Sequence, residues 1–130
     1  MSERIVRVVA AVIESEGRYL ITQRRSTAVL PNLWEFPGGR VEPGERDEEA
    51  LQREIMHRLD AQVRVRQMIS FVRHPYERYT VDLHLYECEL LSEVRTRAVQ
   101  DFRWIGSNEF DDFEFTPADE ASMSKLLGDP

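Results

Sequence analysis

Apolar residues fill the start of the chain almost without a break: Ile5, Val6, Val8, Val9, Ala10, Ala11, Val12 and Ile13, with only Arg7 intervening. β-branched residues dominate, so residues 4–14 predict a buried strand. Ser15-Glu16-Gly17 signals a turn, and residues 19–24 predict a second strand that pairs with the first as a hairpin. Residues 26–32 read as loop and residues 33–36 as a short strand. The period then changes. Leu51, Ile55 and Leu59 recur every four residues, which predicts a helix over residues 47–59 with one apolar face. Asp47, Glu48 and Glu49 fall in its first turn, where negative charge suits the helix dipole. Next, Val63 and Val65 alternate with Arg64 and Arg66. Residues 62–73 thus predict a strand, with a turn at residues 74–77 and an antiparallel partner at 79–89. In that partner Val81, Leu83 and Leu85 mark one face, and Asp82 and His84 the other. Residues 91–100 read as loop, 102–105 as a short strand, and Ser107 as the cap of a helical turn through Phe110. Thr116-Pro117-Ala118-Asp119 supplies a cap, a proline at the first helical position and an acid three residues on. It starts a last helix, with Met123, Leu126 and Leu127 as its apolar stripe. Strands, a helix, more strands and a final helix predict a layered α/β arrangement in one domain spanning residues 1–130.

Composition narrows the setting. The chain has 130 residues, 42% hydrophobic and 32% charged, as expected of a globular protein with a modest core. No apolar run reaches transmembrane length, and the start of the chain has no signal-peptide core, so a cytoplasmic protein away from membranes is expected. The single cysteine, Cys88, has no partner for an internal disulfide and reads as a small buried residue in a strand. The net charge of -7 disfavours non-specific nucleic-acid binding, which needs a broad positive surface. Lys125 is the one lysine; every other basic residue is arginine. This skew suits phosphate contacts, and a genomic codon bias explains it equally well.

Candidate chemistry concentrates in Phe36-Pro37-Gly38-Gly39-Arg40-Val41-Glu42-Pro43-Gly44-Glu45. Adjacent glycines can take positive φ and admit a ligand against the backbone. Pro43-Gly44 is a turn pair, and the helix beyond it carries carboxylates. A glycine-rich loop feeding such a helix is a place to hold a metal-bound diphosphate. The stretch resembles the Nudix box, G-x5-E-x7-R-E-U-x-E-E-x-G-U with U aliphatic. Gly39, Glu45, Arg53, Glu54 and Ile55 match at their spacings, and Ala61 stands at the last aliphatic position. Residues 8–13, 20–25, 33–39, 102–105 and 115–119 are similar to the corresponding stretches of the MutT-type branch, which includes bacterial CTP pyrophosphohydrolases.

That resemblance implies the Nudix fold, an α/β/α sandwich with a mixed sheet. It also implies a nucleoside triphosphate pyrophosphohydrolase in which water attacks phosphorus while Mg²⁺ or Mn²⁺ neutralises phosphate oxygens. Carried over by position, Glu54 and Arg53 are the catalytic residues. Glu54, Glu45 and Gly39 hold the metal. Arg24, Phe36, Gly38, Gly39, Arg40 and Asp119 bind the substrate, a nucleotide. A homodimer is in keeping with such relatives. Asp119 also has a plainer role, as the acid of the capping box begun by Thr116. Arg73, His74, Tyr76, Arg78 and Tyr79 cluster at the second hairpin, where an ordinary solvated turn is the preferred reading over a phosphate- or base-binding tip.

The departures from the pattern fall on the chemistry. His57 and Arg58 stand where the box has two glutamates, and Asp60 where it has glycine. Ala98 stands where MutT-type members place a further metal-binding glutamate, six residues before Trp104. Glu54 and Arg58 are one helical turn apart, so an ion pair between them is favoured over metal ligation. A guanidinium has no lone pair to offer a metal, and His57 reads as a solvated helix residue. A degenerate metal site is therefore expected, with hydrolysis weak or lost and the nucleotide pocket better preserved. The alternative is an inactive nucleotide-binding or protein-interaction domain.

Overall fold

In the computed structural model, which describes residues 4–126 and their side chains through Met123, the first apolar run forms β1 (Ile5–Val12). Neighbouring residues of a strand point to opposite faces, and both faces of β1 are covered. Val9 and Ala11 enter one core with Leu51, Ile55 and Leu59. Ala10 and Val12 enter a second with Phe36, Leu83 and Leu85. Two-sided burial is why the run is continuous rather than alternating.

The strands that follow are β2 (Glu14–Ser15), β3 (Arg18–Gln23), β4 (Trp34–Glu35), β5 (Gly38–Arg40), β6 (Val63–Pro75), β7 (Thr80–Leu90) and β8 (Asp101–Ile105). One sheet has the order β5-β1-β7-β6. Its β1–β7 pair is parallel, with Ile5 opposite Thr80, and its other pairs are antiparallel. In the second sheet β3 pairs with β2, β4 and β8. The expected hairpin of the first two strands therefore survives only as the β2–β3 stub. The chain changes sheets at Ile13, a buried residue whose carbonyl accepts the Leu20 N–H at 3.0 Å.

Helix α1 (Asp47–Leu59) has the expected bounds. Leu51, Ile55 and Leu59 are fully buried, and each stabilises the fold by about 1.5–3 kcal/mol. Its first turn is tied to β1 by a bidentate pair, with Arg7 Nε and Nη2 each donating to Asp47 at 2.7 Å. Asp60 ends the helix in the left-handed region at φ 50°, and its N–H donates to the Met56 carbonyl at 3.0 Å. Aspartate tolerates this conformation, which accounts for a non-glycine residue there.

A 3-10 helix (Ser107–Asp112) and α2 (Pro117–Leu126) complete the order. The Thr116 hydroxyl accepts the Asp119 N–H at 3.3 Å, so the expected cap forms. Ala118 and Met123 of α2 pack into the second core; the side chain of Leu126, and Leu127, lie outside the described residues. Helices α1 and α2 thus cover opposite faces of the mixed sheet in an α/β/α arrangement. Cys88 is buried, and burial pushes its thiol up to about 12. Among the described residues no helix is long and apolar enough to cross a membrane.

Candidate functional site

The two glycines expected in a positive-φ loop instead form a strand. Among the described glycines only Gly17 and Gly44 have positive φ. Gly38 and Gly39 are needed because a side chain would have no room. A Cβ on Gly38 would overlap the backbone of Val9 and Ala10, and one on Gly39 would overlap the Glu54 carboxylate. β5 therefore lies hard against β1 on one side and the middle of α1 on the other.

Over this edge opens a cleft of about 410 Å³. Its floor is apolar, from Val6, Val8, Val81 and Leu83, and Phe36, Thr116, Ala118 and Asp119 form part of its wall. Arg24, Gly38, Gly39 and Arg40 also line it, so every residue expected to bind substrate meets in one place. Phe36 is buried, with its ring edge-on to Phe110 at 6.3 Å. The second hairpin is not simply a solvated turn. Tyr76 and Tyr79 stack at 5.2 Å and line the cleft, while the Tyr76 hydroxyl accepts the Ala118 N–H at 3.3 Å. Arg73 of that cluster pairs with Asp82 at 2.7 Å.

Asp119 is both a cap and a wall residue. Its Oδ1 accepts the Phe36 N–H at 3.0 Å, and its Oδ2 accepts the Thr116 hydroxyl at 2.5 Å. Burial, and then the charge of Glu35, raises its carboxyl to about 7. Each oxygen keeps a further lone pair for a ligand N–H.

Beside the cleft runs an alternating ladder of charge. Arg24 Nη1 donates to the Glu35 oxygens at 3.2 and 3.4 Å. Arg58 Nη1 donates to Glu35 Oε2 at 3.5 Å, and Arg58 Nε to Glu54 Oε2 at 3.2 Å. Arg53 Nη1 donates to Glu54 Oε1 at 2.9 Å. It also holds Glu45 through Nε at 2.8 Å and Nη2 at 2.9 Å, and caps the Arg40 carbonyl at 2.9 Å. Both oxygens of Glu54 are therefore taken by guanidinium groups. Arg53 ties the helix to the preceding loop, and its guanidinium holds the Glu45 carboxyl down at about 2. Glu35 lies between Arg24 and Arg58 with its side chain 13% exposed. Burial raises its pKa, and the charges of Arg24 and Arg58 oppose that rise.

The expected Glu54–Arg58 pair is thus present, and Arg58 extends it to Glu35, which the sequence did not single out. The available signal was an acid between Trp34 and Phe36 in an otherwise apolar strand. Ala98 does lie at the same end of the helix: its N–H donates to the Arg58 carbonyl at 3.0 Å. His57 is exposed. Among the described residues, no group of three or more His, Cys, Asp or Glu side chains is placed to hold a metal ion.

Comparison with known proteins follows the same outline. A family model described as "NUDIX domain" matches residues 8–125. The chain is 29% identical to a protein of Escherichia coli K12 named CTP pyrophosphohydrolase, over 89% of this chain and 87% of the relative. It is 28% identical to an 8-oxo-dGTP diphosphatase of Haemophilus influenzae, over 99% and 96% of the two chains. The solution structure of the E. coli ORF135 protein superposes with a TM-score of 0.85 at 27% identity, covering 97% of this chain and 91% of that one.

Proposed function

The chain belongs to the Nudix family, and from that premise we propose that it is a MutT-like nucleotide-binding protein whose metal-dependent pyrophosphohydrolysis is weak or lost. The names of its relatives, a CTP pyrophosphohydrolase and an 8-oxo-dGTP diphosphatase, support a nucleoside triphosphate as the ligand. The cleft is of a size that suits a small-molecule ligand. Its apolar floor and stacked tyrosines suit a base and sugar. The open lone pairs of Asp119 suit a base that presents an exocyclic amine, as cytosine, adenine and guanine do and uracil does not.

One observation carries the second half of the reading: the Arg58 guanidinium rests on Glu54 Oε2 at 3.2 Å. Mg²⁺ needs hard oxygen donors in near-octahedral array. Here Glu54 offers oxygens already bound to Arg58 and Arg53, and Glu45 offers oxygens already bound to Arg53. A fixed positive charge beside Glu54 also repels a cation. On this reading a divalent metal does not fit the donor set. Arg58 lines the cleft and supplies to the ligand phosphates part of the charge that a metal supplies elsewhere. Its contacts, at 3.2 and 3.5 Å, are longer than the usual charge-assisted bond, so a phosphate can compete for it.

The test is a panel of nucleoside triphosphates incubated with and without Mg²⁺ or Mn²⁺, read out as pyrophosphate release. The unmodified protein should release little. The double variant Arg58→Glu, Ala98→Glu should gain tenfold or more, since a restored Lewis acid worth about 4 kcal/mol corresponds to roughly a thousandfold in rate. Rapid metal-dependent turnover by the unmodified protein refutes the reading.

A further inference from the structure

Helix α2 begins with a backbone donor that its own cap leaves unmet. Pro117 has no N–H. The Asp119 N–H donates to the Thr116 hydroxyl at 3.3 Å, and the Glu120 N–H to the Thr116 carbonyl at 2.9 Å. That leaves the Ala118 N–H, an orphan of the first helical turn. Its partner is the Tyr76 hydroxyl oxygen at 3.3 Å, from a hairpin 42 residues away. A hydroxyl both accepts and donates. The Tyr76 oxygen is engaged by Ala118, and among the described residues its proton goes to no protein acceptor. Burial pushes the Tyr76 hydroxyl above the usual phenol range, so the proton stays in place at neutral pH.

The ring that carries this proton is held still. It stacks on Tyr79 at 5.2 Å with the planes 25° apart, and His74 packs edge-on at 4.8 Å. The Tyr76 N–H donates to the Tyr79 carbonyl at 2.7 Å and closes the turn. With ring and oxygen fixed, the O–H can turn toward the cleft that Tyr76 lines. The residue after Ala118 is Asp119, which lines the same cleft. Its carboxylate is fixed by the Phe36 N–H and the Thr116 hydroxyl, and its charge is near enough to act on the Tyr76 hydroxyl. A hydrogen-bond acceptor and a hydrogen-bond donor therefore stand side by side on one wall, each with capacity to spare.

We propose that the Tyr76 hydroxyl donates to the ring nitrogen beside the amine that Asp119 accepts, so that the site takes a base whose exocyclic amine adjoins an unprotonated ring nitrogen. This rests on the nucleotide-binding reading above and narrows its ligand to a cytosine or adenine nucleotide. Cytosine offers its amine with N3 beside it, and adenine its amine with N1 or N7 beside it. Guanine presents its amine next to a ring N–H on the same edge. There the Tyr76 hydroxyl, its oxygen already engaged, meets a second donor. Uracil has no amine for Asp119. Tyr76 is thus a specificity-determining residue, and its bond to Ala118 sets the hydroxyl as a donor.

The experiment measures dissociation constants in EDTA for CTP, ATP, GTP, UTP and 3-deazacytidine triphosphate, with the unmodified protein and Tyr76→Phe. The deaza analogue keeps the amine and replaces the N3 acceptor by C–H. The unmodified protein should bind CTP and ATP at least tenfold tighter than GTP and UTP, since a mismatched edge leaves polar groups unpaired. It should bind CTP about tenfold tighter than the deaza analogue, the size of one lost hydrogen bond with its donor stranded. Tyr76→Phe keeps the stacked ring and should bind CTP and the analogue within about twofold of each other. A hydroxyl that only holds α2 in place would weaken both ligands alike and leave their ratio unchanged. That unchanged ratio overturns the Tyr76 assignment and leaves nucleotide binding standing. So does a CTP-to-analogue ratio near one in the unmodified protein, a comparison that needs no variant to fold, and so does GTP bound as tightly as CTP. No binding of any nucleotide to the unmodified protein overturns both readings.

Discussion

Removing the Arg58 guanidinium while keeping its bulk, as in Arg58→Met, should destabilise the protein by about 1.5–3 kcal/mol at neutral pH. The size follows from the ladder. Arg58 is 23% exposed, and its acids Glu54 and Glu35 are 10% and 13% exposed. At an effective dielectric of about 20, two opposite charges at this separation attract by about 5 kcal/mol before the penalty of desolvating them. Stripping one partner from a buried pair typically costs about 3–5 kcal/mol. Here the loss is smaller, because neither acid is abandoned: Glu54 keeps Arg53 at 2.9 Å and Glu35 keeps Arg24 at 3.2 Å. For a domain of this size the change lowers Tm by about 5–12 °C. Urea unfolding of Arg58→Met, Glu54→Gln and the double variant closes a cycle, and the coupling energy should exceed about 0.5 kcal/mol. A loss within about 0.5 kcal/mol, the range of an ordinary surface substitution, refutes the claim that Arg58 is held by the ladder.

Two further outcomes follow from the same geometry. Gly38→Ala should cost about 3 kcal/mol or more and Gly39→Ala less, since the first Cβ meets the backbone of β1 and the second meets the Glu54 side chain, which can rotate away; urea midpoints of the two variants in the reverse order contradict this. Asp119 has its folded pKa raised from 3.8 to about 7 by burial and Glu35, so its contribution to stability is whole below about pH 4 and is lost as pH rises toward 7. Asp119→Asn, neutral throughout, should show a flatter stability profile than the unmodified protein between about pH 4 and 7, and parallel profiles contradict the assignment.

Much of this was written locally in the chain. The bounds of α1 follow from a four-residue apolar repeat and an acidic first turn, and the Glu54–Arg58 contact from their spacing of one turn. What escaped was carried by contacts distant in sequence. The role of Glu35 depends on Arg58, 23 residues away, and nothing near Ile13 announces that the chain leaves one sheet for another. Gly38 and Gly39 were legible as glycines that matter, but the positive φ expected of them is absent, and the close approach of β1 and Glu54 is what a Cβ would disturb. Positive φ and close approach both call for a missing Cβ, and sequence alone does not separate them. Tyr76 and Tyr79 read as a solvated turn because the floor and wall of the cleft they join come from β1 and α2, distant in sequence.

In the proposed function a guanidinium takes the place of a metal beside Glu54. That replacement is tested most directly by the dissociation constant of a nucleoside triphosphate measured in EDTA and again in excess Mg²⁺ with the unmodified protein. Measurable binding in EDTA is expected, with a change of less than about threefold, or about 0.7 kcal/mol, on adding Mg²⁺. Binding that appears only with Mg²⁺, or tightens by more than tenfold, contradicts this reading.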